Sequence, residues 1–132
     1  MTTIQHVLGR ADLVAFVASR DLRVSGSFYG EVLGFRLVDG SAFSNAYDAN
    51  GTLLRVTLVD RVVDVPYTVL GWRVADIVAT IRQLRAAGVV FERYEGMAQD
   101  EDDVWIAPGG SRVAWFADPD GNILSLQQSP TV

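Results

Sequence analysis

The chain opens its clearest pattern with an apolar run of strand length over residues 13–19, unbroken from Leu13 to Ala18. Asp21 is placed to cap a helix, on which Val24, Phe28 and Val32 share one face, and Gly34 is placed to end it. Gly26 sits inside that helix at a cost of about 1 kcal/mol relative to alanine. Three short strands are predicted next, over 35–39, 43–48 and 52–59, separated by Gly40-Ser41 and Asn50-Gly51. After Pro66 the pattern restarts. A strand over 67–74 precedes a helix capped by Asp76, with Ile77, Ile81 and Leu84 on its inner face and Gly88 at its end. Strands are predicted over 89–94, 104–107, 112–117 and 122–127, with a hairpin loop at Pro108-Gly109-Gly110-Ser111. Residues 1–11 show no period and read as an arm or loop.

The restart has a counterpart in the turns. Asp118-Pro119-Asp120-Gly121 combines side chains that bond their own backbone, a fixed proline φ and a glycine tolerant of positive φ. Asp48, Asn50, Gly51 and Leu54 repeat the positions of Asp118, Asp120, Gly121 and Leu124. A turn repeated in so short a chain points to duplication. The reading is one domain over 1–132, built as βαβββ twice: module 1 about 12–60, module 2 about 67–128.

Composition narrows the function classes. With 132 residues, 49% hydrophobic and 20% charged, the chain is a globular domain with a real core. A net charge of −5 argues against nucleic acid as partner. No apolar run is long enough to span a bilayer, and the start lacks the pattern of a secretory signal, so a cytoplasmic location is expected. The absence of cysteine removes disulfides, thiolate metal sites and cysteine nucleophiles. One histidine, His6, is too little for a Ser-His-Asp set, and Pro108-Gly109-Gly110 lacks the lysine and helix of a phosphate loop.

Three passages then carry a family resemblance: Asp21-Leu22 with Phe28-Tyr29 and Val32-Leu33-Gly34-Phe35; Trp72-Arg73-Val74-Ala75-Asp76-Ile77; and Asp118-Pro119-Asp120-Gly121-Asn122. In order and spacing the chain resembles the vicinal oxygen chelate superfamily, which includes glyoxalase I, extradiol dioxygenases, and fosfomycin- and bleomycin-resistance proteins. The resemblance implies an α+β fold in which two tandem βαβββ modules form a cupped mixed sheet. It also implies two metal ligands per module: a His or Gln early in the first strand, and a Glu four residues after the turn glycine. Here those places fall on Leu13 (Val14 if the register slips by one), Arg55, Val69 and Ser125. None is a usual ligand for a hard or borderline cation. Two unit charges 4 Å apart at an effective dielectric of about 20 interact by about 4 kcal/mol, and a dication doubles it. Arg55 would therefore repel the ion.

Strand alternation sorts the faces. The cup is expected to present Leu13, Ala15 and Val17; Leu53, Arg55 and Thr57; Val69, Gly71 and Arg73; Ile123, Ser125 and Gln127; and Trp115, with Trp105 at the rim. Leu54, Val56, Leu58, Trp72, Phe116, Leu124 and Leu126 are assigned to the core. The ligand-binding candidates are Arg55, Arg73, Trp105, Trp115, Ser125, Val69, Leu13 and Gln127, with no catalytic residue, metal or cofactor. Arg55 suits a carboxylate, a phosphate or an internal ion pair; the tryptophans suit ligand stacking or packing. Glu95, Asp100, Glu101, Asp102 and Asp103 lie close together without a basic residue among them, as an exposed loop or an acidic lip for a cationic ligand. Bleomycin-resistance proteins use such a groove between two subunits. The expectation is a metal-independent binder of a small cationic or aromatic molecule, acting as a homodimer. A metal-dependent glyoxalase- or dioxygenase-like enzyme with displaced ligands, and a non-catalytic protein-interaction module, are the alternatives.

Overall fold

The computed structural model describes residues 6–130. The part of the expected N-terminal arm at 1–5 lies outside them; the remainder contains a 3-10 turn, Val7–Arg10. The strands are β1 (Val14–Ser19), β2 (Arg36–Gly40), β3 (Ser44–Ala49), β4 (Thr52–Leu58), β5 (Thr68–Arg73), β6 (Trp105–Ile106), β7 (Arg112–Ala117) and β8 (Ile123–Gln128). The helices are α1 (Leu22–Gly26), which continues as a π-helix over Ser27–Val32, and α2 (Ile77–Ala86). Two four-stranded sheets result, with strand orders β1-β4-β3-β2 and β5-β8-β7-β6. In each, the first strand of the module runs parallel to the last and the other pairs are antiparallel. This is the doubled α+β arrangement expected from the repeat. The sheets meet where β1 contacts β5.

Both helix starts follow from their caps. Asp21 Oδ1 accepts the N–H groups of Arg23 and Val24, and Asp76 Oδ1 accepts that of Ala79, each satisfying donors with no intrahelical partner. On α2, Ile77 and Ile81 are fully buried as their spacing predicts. The first helix departs from the predicted face. The Leu33 N–H donates to Phe28 O, an i→i−5 bond, so the turn widens after Gly26. Ahead of that widening the burial stripe already passes through Ser25 and Tyr29, one position on from the predicted face, and Val24 stays exposed.

The predicted strand over 89–94 does not form. Phe91 enters the core and bridges Phe116, but the Gln99 side chain takes the backbone groups a neighbouring strand needs: its Oε1 accepts from the Tyr94 N–H and its Nε2 donates to Glu92 O.

The core lies between the helices and one face of both sheets. Leu54, Val56, Leu124, Leu126 and Phe116 are buried as alternation predicts, and Phe35, Trp72 and Phe116 stack in series. Leu58, assigned to the core, is exposed at the end of β4.

Candidate functional site

The turn at Asp118 joins the two modules and sets the site's frame. Asp118 is buried, and its Oδ1 accepts the N–H groups of Asp120 and Asn122 at 2.9 and 3.0 Å. Its Oδ2 accepts from the Tyr29 hydroxyl at 2.7 Å and from Asn122 Nδ2 at 2.8 Å. Asn122 Nδ2 also donates to Ala18 O, and the Arg20 N–H to Asp120 Oδ1. A carboxylate accepting four hydrogen bonds thus fixes β1 and the first helix against the second module. Burial, and then the Asp118 charge, push the Tyr29 hydroxyl well above the usual tyrosine range.

On the open side of the sheets, β1 has the opposite parity to that expected. Val17 and Ser19 are buried against the helices, whereas Phe16 is 61% exposed. Leu13 precedes β1 and is exposed, and Ala15 and Val17 face inward. The ladder registers explain the difference. Val17 pairs with Val56, as Trp72 pairs with Leu126, so Val17 corresponds to Trp72 and Val14, not Leu13, to Val69.

The remaining faces fall as predicted. Arg55 lies on the open face of β4 between its ladder partners Phe16 and Ala46. Its Nη1 donates to Ser44 Oγ at 2.9 Å, and among the described residues no carboxylate is within salt-bridge distance. Ser125 pairs with Gly71 on one side and Trp115 on the other. The approach is close: a Cβ on Gly71 would come within 2.6 Å of Ser125 Oγ.

Trp115 is the centre of an aromatic group. Its Nε1 donates to Thr68 Oγ1 at 3.2 Å; Tyr94 meets it edge-on at 5.5 Å, and Trp105 lies at 6.0 Å. Burial, and then the Glu92 carboxylate, push the Tyr94 hydroxyl up. Pro66, Tyr67, Thr68, Tyr94, Met97, Trp115 and Ile123 enclose a cavity of about 340 Å³. A second of about 330 Å³, lined by Phe16, Val69, Asn122 and, from the linker, Arg61, Val62, Val63 and Val65 among others, shares Tyr67 with the first. Tyr67 borders both, so the two adjoin as a largely apolar trough, with Arg61 a charged residue on its wall.

Of the sequence candidates, Val69 and Trp115 line this trough, Ser125 sits between Gly71 and Trp115, and Trp105 lies beside Trp115 on the same sheet face. Arg55 adjoins the trough through Phe16. Arg73 borders other cavities, none containing Phe16, Tyr67 or Trp115, and Gln127 is exposed beside Arg73 in the ladder. Sequence reasoning missed Phe16, Tyr67, Tyr94 and Met97. Parallel pairing of β1 with β4 signals Phe16 once parity is known. Tyr94 and Met97 depend on the path of a loop, for which the sequence carries no period.

The acidic segment is not a free lip. Asp103 is buried and bonds Arg85 and Arg93; Asp102 lies 3.4 Å from Arg85 and 3.9 Å from Arg82. Asp100 Oδ1 accepts the N–H groups of Asp102 and Val104. The arginines come from α2 and from the segment leading to the loop, so the window's lack of basic residues did not foretell its neutralisation. Glu95, Asp100 and Glu101 remain exposed.

The metal positions carry Val14, Arg55, Val69 and Ser125, a donor set that does not fit a divalent ion. Among the described residues no group of three or more His, Cys, Asp or Glu is arranged to hold one. No helix among them is long and apolar enough to cross a membrane.

Comparisons place this geometry. The structure resembles the bleomycin resistance determinant encoded on transposon Tn5, with a TM-score of 0.71 and 21% identity, covering 92% of this chain and 99% of that one. It resembles a superfamily member from Sphaerobacter thermophilus (TM-score 0.70, 24% identity, 90% and 97% covered). It also resembles a lactoylglutathione lyase from Agrobacterium tumefaciens (TM-score 0.70, 16% identity, 90% and 93% covered). Identities this low show a shared fold alone. No curated protein matches the sequence. The family model for the Glyoxalase/Bleomycin resistance protein/Dioxygenase superfamily matches residues 3–126, and the chain belongs to that superfamily.

Proposed function

We propose that this protein binds and sequesters a small molecule without a metal ion. The observation that carries the reading is the pairing of two features: an aliphatic, cationic and hydroxyl set where related proteins hold a metal, and an apolar trough lined by Phe16, Tyr67, Tyr94 and Trp115 beside it. Apolar walls with few polar groups suit a small organic ligand. Trp115 and Tyr94 offer ring faces and edges for stacking on a flat one. One structure of the same fold is a bleomycin resistance determinant, and drug or metabolite sequestration is the role this site suits.

The expected assembly is a homodimer. Phe43 and Phe16 are 76% and 61% exposed, and a second copy would cover apolar surface of this kind.

Metal analysis of extensively dialysed protein tests the reading. The expected result is a substoichiometric content of Zn, Ni, Mn and Fe, with tryptophan fluorescence quenched by flat organic molecules. Stoichiometric retention of any of these metals overturns it in favour of an enzyme.

A further inference from the structure

Arg55 puts a positive charge on the open face of β4. It is half-buried there, and its ladder neighbours, Phe16 and Ala46, are both apolar. Its bond to Ser44 Oγ uses one of five N–H donors and supplies no negative charge. A half-buried guanidinium without a counter-charge is costly unless an anion joins it. Of the acids on its sheet face, Asp39, which pairs with Ala46, is exposed and outside salt-bridge distance of Arg55. Asp48, on the same face as Ser44, lies 3.4 Å from Arg36. Asp102 and Asp103, which would have favoured a cation, are neutralised by arginines of the second module. Phe16 joins this guanidinium to the trough: it neighbours Arg55 in the ladder, and it lines the cavity whose shared wall, Tyr67, leads to Trp115.

We infer that the site takes an amphipathic anion: one carboxylate or phosphate on the Arg55 guanidinium, and a flat apolar body along Phe16, Tyr67 and Trp115. This rests on the small-molecule reading above and reverses the charge that the acidic segment suggests from sequence. A planar fork of donors suits a carboxylate or phosphate bound through two oxygens.

The test uses three probes of matched shape: 2-naphthoate, 2-naphthylmethanol and 2-naphthylmethylammonium. Each is titrated into the full chain by calorimetry and tryptophan fluorescence, at low and at physiological salt. The expected result is that naphthoate binds at least about tenfold more tightly than the alcohol, with the ammonium weakest. Arg55→Gln should abolish that preference, weakening naphthoate at least about tenfold and the alcohol far less. Equal binding of all three, or a preference for the anion that survives in Arg55→Gln, overturns the charge assignment and leaves the apolar trough standing. Binding of none of them at millimolar concentration overturns both the charge assignment and the small-molecule reading. Circular dichroism and the melting temperature confirm that the variant is folded.

Discussion

Replacing Tyr29 by phenylalanine tests how the two modules are joined. The hydroxyl is fully buried and donates a 2.7 Å bond to Asp118 Oδ2. A hydrogen bond to a charged acceptor contributes about 1.5–3 kcal/mol net. Asn122 Nδ2 still serves the same oxygen at 2.8 Å in the variant, so the cost falls at the lower end, about 1.5–2 kcal/mol. For a domain of this size that lowers the melting temperature by about 5–10 °C. Urea titration should shift the midpoint without changing the slope. The pH dependence gives a second reading. In the unfolded chain Tyr29 loses its proton near pH 10, about the ordinary value. In the folded chain burial and the Asp118 charge hold the proton on to higher pH. Above about pH 10 the unfolded state therefore binds fewer protons than the native state. Stability present below that pH is lost as pH rises, by up to about 1.4 kcal/mol per unit from this group. Tyr29→Phe removes that share, so the wild-type advantage should shrink above pH 10. A variant within about 0.3 kcal/mol of wild type at pH 7, with an unchanged alkaline slope, would refute the idea that this bond joins the modules.

Gly71→Ala should destabilise by about 1–2 kcal/mol through overpacking, because its Cβ meets Ser125 Oγ at 2.6 Å. Adding Ser125→Gly should recover most of that loss, and a double-mutant cycle in urea measures the coupling. Asp103→Asn leaves Arg85 and Arg93 without their shared charge. A loss of about 1–3 kcal/mol is expected, moderated by the solvent around both arginines, with faster amide exchange at Asp102 and Val104. Glu101→Gln, on the exposed side of the same loop, should stay within about 0.5 kcal/mol of wild type.

Much of the architecture was legible because helices cover only one side of each sheet. That arrangement imposes period-two burial on β4 and β8, and Leu54, Val56, Leu124 and Leu126 follow it. The failures have specific causes. The first strand is apolar at every position from Val14 to Ala18, so alternation could not set its parity; buried Ser19, with its hydroxyl donating to Asp21 O, marks the inner face. On the first helix the small polar Ser25 and the tyrosine Tyr29 make the buried stripe in place of Val24 and Phe28, and the π-turn that follows departs from spacing at 3.6 per turn. The segment at 89–94 has strand composition, but a single glutamine side chain occupies its backbone groups. At the site, Arg55, Ser125 and Trp115 were legible because they follow a repeated turn or lie on strands of known parity. The trough's outer wall was not, because Tyr94 and Met97 reach it from outside the regular strands.

The contact between Arg20 and Asp120 spans a hundred positions, and that between Ala18 and Asn122 slightly more. A ribosome therefore releases the whole first half before the acceptor for its central tyrosine has been translated. Until Asp118 and Asn122 emerge, the nascent first half lacks the acceptor for the Tyr29 phenol and the donor to Ala18 O at its strand edge, surface that a holdase chaperone would cover. Completion of the N-terminal half waits on the turn at 118–122 in the second module.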